Sequence, residues 1–99
     1  SLPRHMAEHI YMFGGESVTV KMRTNTTMMD ALVDWFDKDF RIMQEENDQM
    51  IVTLSCNEVA MKYWALQYGL HVEILEPQSL RTAVREAVRR MAGVYEEDV

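Results

Sequence analysis

Residues Ser17 to Arg23 alternate: Val18, Val20 and Met22 point one way, Thr19, Lys21 and Arg23 the other. A period of two carried by β-branched residues predicts a half-buried strand. Asn25, Thr26 and Thr27 then supply helix N-cap candidates, and Asp30 suits the positive end of the helix dipole. Met29, Leu32, Val33 and Phe36 follow at i, i+3, i+4 and i+7, one face of a helix that ends near residues 37–39, with Trp35 off the stripe. Arg41 to Glu45 reads as a second strand, with Ile42 and Phe40 inward. The polar run Glu46-Asn47-Asp48-Gln49 is the turn after it. Met50 to Cys56 alternates most clearly, and its pairing with the preceding strand predicts a hairpin. Asn57 caps a second helix with the stripe Met61, Trp64, Ala65 and Tyr68, and Gly69 stands where a left-handed C′ residue would end it. His71 to Leu75 is a last strand. Pro77 stops it and opens a third helix whose apolar face is Leu80, Val84, Ala87, Val88 and Met91.

The predicted order is β-α-β-β-α-β followed by one more helix. Two split β-α-β units with right-handed crossovers place four antiparallel strands under two helices. The expected fold class is therefore α+β, a ferredoxin-like sandwich with an added C-terminal helix. Residues 1–15 hold no period and read as a linker from a preceding domain. Residues 16–95 form the folded unit, and 96–99 an acidic tail.

The chain has 99 residues, enough for one domain with one core, and a net charge of −6. That charge disfavours nonspecific binding to nucleic acid, which depends on clustered Lys and Arg. No apolar run is long enough to span a bilayer and no signal peptide is visible, so a cytoplasmic location is expected. The single Cys56 has no internal disulfide partner and suits a reducing compartment.

Few residues invite chemistry. His5 and His9 have a helical metal spacing, but nothing beside them completes a shell, and they read as solvent-exposed linker residues. Cys56 lacks a nearby base and reads as a small buried hydrophobe. The acidic groups Asp34/Asp37/Asp39 and Glu45/Glu46/Asp48 lack the ligand order of an EF-hand loop. No catalytic residue, metal or cofactor is expected. Most of the nine methionines, scattered along the chain, read as core filler. The most pointed charge feature is the third helix. Arg81, Arg85 and Arg89 are spaced by four, with Arg90 beside them, and such a row of like charges costs stability unless something answers it. These four arginines are the candidate interaction residues.

Within Tyr63–Arg81, residues Trp64, Leu66, Tyr68, Gly69, Val72, Leu75, Pro77, Leu80 and Arg81 form a pattern W-x-L-x-Y-G, strand, Pro, then L-R. This pattern resembles the C-terminal extension of WYL-domain transcriptional regulators, and the earlier HIYMFGGESVTVKMRT and the helix with Leu32, Trp35 and Phe36 extend the likeness over nearly the whole chain. The resemblance implies a bacterial regulator that binds DNA through an N-terminal winged helix and senses a ligand through a WYL domain. Neither part is in this sequence, and the Trp-Tyr-Leu motif that names the family is absent, so no ligand residues carry over. What remains is a regulatory or interaction domain that contributes to dimer contacts or signal relay, with a second protomer or neighbouring domains of the same regulator as partners. A free-standing ACT-like sensor shares the element order, but such domains favour a glycine after the first strand, where Arg23-Thr24-Asn25-Thr26 stands here. An acylphosphatase-like enzyme would need a phosphate-cradling loop that the sequence lacks.

Overall fold

The computed structural model describes residues 11–96. Strand β1 (Ser17–Asn25) leads through a 3-10 turn (Thr26–Met28) into helix α1 (Met29–Phe36). Strands β2 (Arg41–Glu46) and β3 (Gln49–Asn57) form a hairpin, followed by α2 (Glu58–Gln67), β4 (Val72–Glu76) and α3 (Gln78–Val94). The strands make one sheet in the order β2-β3-β1-β4, with every neighbouring pair antiparallel. The domain is thus a mixed α/β unit with a four-stranded antiparallel sheet.

The register explains the core. Val20 pairs with Leu54, Met22 with Val52 and Ile74, and Thr24 with Met50. All of these are buried, so one face of the sheet is covered while the alternate residues Thr19, Lys21 and Arg23 face outward, as side chains of period two must. Leu32 and Phe36 of α1 and Ala60, Met61, Trp64 and Ala65 of α2 close over that face. Thr24 is the one buried polar side chain among the described residues, and its hydroxyl donates to the His71 carbonyl at 2.7 Å.

Local signals account for the connections. Asn25 accepts from the Thr27 amide at 3.0 Å and Asn57 from the Ala60 amide at 2.9 Å, which satisfies helix N–H groups that have no partner within the helix. Asn47 and Asp48 both have positive φ, 52° and 66°, the conformation of a two-residue type I′ hairpin turn, in which Asn and Asp are well tolerated.

Several expectations need correction. Gly69 is not the left-handed residue: α2 is capped at Tyr68, whose N–H donates to the Trp64 carbonyl while the Gly69 N–H donates to that of Leu66, and among described glycines only Gly15 has positive φ. Gly69 is instead favoured by close approach, since a Cβ there would meet the Leu66 carbonyl oxygen at 3.3 Å. Strand β2, at an edge of the sheet, is exposed along its whole length, and Ile42, though opposite buried Val52, stays 40% exposed. A bulge between Ile42 and Gln44 leaves Met43 unpaired with β3. Upstream, residues 11–13 are helical. Met12, expected in a linker, is fully buried, and Phe13 stacks edge-on to Phe36 at 6.2 Å. Asn57 then fixes the segment through a bond from its amide to the Gly14 carbonyl at 3.0 Å. His5, His9 and residues 97–99 lie outside the described residues.

The core predicts a contrast in stability. Phe36→Ala should cost ~3–5 kcal/mol in urea unfolding, whereas Leu70→Ala, at a side chain 96% exposed, should change the midpoint little.

Candidate interaction surface

Helix α3 leaves β4 at Pro77 and packs on β4 and α2. Its first turn is fastened: Leu80 is buried, and the Ser79 hydroxyl donates to Glu58 of α2 at 2.6 Å. Arg81 donates through Nη1 to the Ile74 carbonyl at 2.7 Å and to Glu73 Oε2 at 2.8 Å, while Arg23 of β1 donates to Glu73 Oε1 at 2.6 Å. Glu73 therefore bridges two guanidinium groups, and Arg81 covers part of the outer edge of β4, which no other strand pairs. The bond from Arg81 is the main reason the Glu73 carboxyl is held below its ordinary pKa; partial desolvation opposes it, and Arg23 adds to the lowering.

The predicted four-arginine row divides at this point. Arg81 belongs to an internal clamp, whereas Arg85, Arg89 and Arg90 are exposed and form no ion pair among the described residues. At 100° per residue, Arg85 lies about 60° round α3 from Val88 and Arg89 about 100° round.

The apolar face of α3 divides too. Leu80 and Ala87 are buried, but Val88 and Met91 are about half exposed. They form one wall of a groove of about 490 Å³, whose other wall is the end of α2 and the turn into β4, including Leu66, Tyr68 and Leu70. Sequence periodicity placed Val88 and Met91 on the correct helical face. It did not reveal the groove, because nothing local says that α3 outruns the elements it packs against. Leu70 was missed as well, since a single exposed leucine in a turn leaves no periodic trace.

Residues 15–92 match the family model of the WCX domain. The chain belongs to the WCX family. It is the C-terminal extension domain of WYL-domain regulators, as the Trp64–Arg81 pattern implied. A search of curated proteins found no match.

Of the other described candidate groups in this WCX domain, Cys56 belongs to the core and the rest are exposed. Burial pushes the Cys56 thiol up to about 12, which keeps it protonated and poorly nucleophilic at neutral pH. Asp34, Asp37, Asp39, Glu45, Glu46 and Asp48 are all exposed, and no group of three or more His, Cys, Asp or Glu able to hold a metal occurs among the described residues. His71 is exposed before β4, and among the described residues no helix is long and apolar enough to cross a membrane.

Two measurements check these assignments. Because Glu73 has a lowered folded pKa, its stabilisation is complete above the unfolded glutamate value, about 4.3, and is lost as pH falls through the folded one. The stability gap between wild type and Glu73→Gln, under ~1 kcal/mol for partly exposed pairs, should stay level at neutral pH and shrink on acidification; a gap that widens would contradict the clamp. Separately, a disulfide reagent at pH 8 should label Cys56 only at the rate of unfolding. Labelling as fast as that of a free thiol would contradict its burial.

Proposed function

We propose that this WCX domain is a non-catalytic contact module of a bacterial, cytoplasmic WYL-type transcriptional regulator, contributing to dimer contacts or signal relay. DNA binding belongs to an N-terminal winged helix of the regulator and ligand sensing to its WYL domain. The observation that carries this reading is the surface of α3: an apolar wall and exposed arginines that form no ion pair among the described residues, on a domain that is otherwise acidic. Large exposed apolar side chains grouped beside polar ones mark contact surfaces more often than catalytic ones. The inert thiol of Cys56 agrees with a scaffold role.

We also read the sheet as ferredoxin-like. The strand order β2-β3-β1-β4, with helices between β1 and β2 and between β3 and β4, supports that reading. Asn25 caps the turn after β1, where an ACT-like sensor would favour glycine, so nothing in that turn supports the alternative.

The test is deletion of this domain from the intact regulator. Sedimentation should show dimer dissociation strengthened at least tenfold, about 1.4 kcal/mol, or fluorescence anisotropy should show weakened binding to the DNA upstream of its own gene. A truncated regulator equal to the intact one in both measurements would end the proposal.

A further inference from the structure

We propose that the groove between the end of α2 and the C-terminal half of α3 seats an amphipathic helix of a protein partner, one that carries carboxylates along a flank of its apolar face. The inference deepens the contact reading above and rests on it.

The groove exists because α3 is too long for its support. Its 17 residues span roughly 25 Å, whereas the 5 residues of β4 span roughly 17 Å. The apolar stripe continues past the point where β4 and α2 can cover it. Val88 and Met91 are left 49% and 48% exposed, and Leu70 projects from the opposite wall at 96%. Three apolar anchors around a trough of about 490 Å³ match the way an amphipathic helix docks, through side chains at i, i+3 or i+4, and i+7.

Charge selects the occupant. The chain carries 16 acidic residues against 10 basic ones, yet none of the 16 lines this groove. Arg85 stands on the strip of α3 beside Val88 and Arg89 one turn on and further round, both without an ion-pair partner among the described residues, and Glu86, three residues before Arg89, is the one acidic residue on this helix. Two guanidinium groups at i, i+4 repel each other until carboxylates approach. A second copy docked α3 against α3 would bring four such arginines together, which disfavours self-pairing. Nucleic acid is disfavoured by the apolar lining and by the net charge of −6.

The test uses two synthetic helical peptides of about 18 residues, long enough to hold helix in water. Both carry leucines at i, i+4, i+7 and i+11; one has Glu and the other Lys along the same flank. Each is titrated into the isotopically labelled 99-residue chain and followed by NMR. The Glu peptide should saturate, with shifts confined to residues lining the groove, and bind at least about tenfold tighter than the Lys peptide. In the double variant Arg85→Glu/Arg89→Glu the preference should invert. Met91→Asp should abolish binding of both peptides while circular dichroism shows an unchanged fold. Failure of the Glu peptide to bind, equal binding of both, shifts elsewhere, or a preference that survives the charge reversal would overturn the proposal. So would a dimer of the chain that Met91→Asp dissociates, or a short DNA duplex that displaces the peptide. If the peptide fails while deletion of the domain still weakens the regulator's dimer, the groove assignment falls and the contact reading stands.

Discussion

Trp64 ties α1 and α2 together within the single core of this domain. Its ring lies 5.1 Å from Phe36 of α1 and 4.9 Å from Tyr68 at the end of its own helix, and the Trp35 indole N–H donates to the Tyr68 hydroxyl at 3.1 Å. Both helical crossovers are thereby fixed to each other as well as to the sheet. The Trp64 indole N–H is buried without a hydrogen-bond partner among the described residues, which costs ~1–3 kcal/mol. Burial of an indole removes at least 150 Å² from water, worth roughly 4 kcal/mol at about 25 cal/mol per Å². The apolar gain exceeds the polar loss, so the ring stays in place with its nitrogen unanswered.

The sheet beneath Trp64 has two edges, and each is blunted in its own way. On β4, Arg81 reaches back from α3 to the Ile74 carbonyl. On β2, Arg41, Glu45 and Glu46 are charged and exposed, and the bulge at Met43 interrupts the ladder. Charges and bulges of this kind discourage a further strand from adding. The edges are therefore poor places for contact, whereas the groove of α3 leaves grouped apolar area exposed.

The strands and caps were legible in the sequence because their signals are local. Val18, Val20 and Met22 announce β1, Asn57 caps α2 as expected while Asn25 caps the 3-10 turn that leads into α1, and the Asn47-Asp48 turn follows from two residues that accept positive φ. Helix faces were legible as far as packing reached: Met61, Trp64 and Ala65 are buried as the 3.6 period requires, while Val33 on the α1 stripe is 47% exposed. What stayed hidden depends on tertiary neighbours. Arg81 looks the same as Arg85 in a one-dimensional row, and only the proximity of Glu73, eight residues away in sequence, separates a clamp from a free cation. Gly69 does stand directly after the C-cap Tyr68, but its φ is not positive, and its missing Cβ makes room for the Leu66 carbonyl instead. Met12 sits in a segment without period, so its burial could not be read from spacing.

The division of the arginine row has a consequence for specificity. Arg81 is already spent on Glu73 and Ile74, so it holds α3 in place and contributes little to an incoming charge. Arg85 and Arg89 lie one and two turns further on, and their field is opposed by Glu86 on the same helix and by the diffuse negative charge of the rest of the domain. At physiological ionic strength that diffuse charge is screened beyond about 8 Å, whereas a carboxylate in direct contact with a guanidinium is not. A partner with scattered acidic residues would be repelled at long range and gain nothing on contact. A partner whose carboxylates fall on the strip beside its apolar anchors gains both terms at once. The apolar wall therefore supplies most of the affinity, and the two arginines decide which helix is accepted and in which orientation.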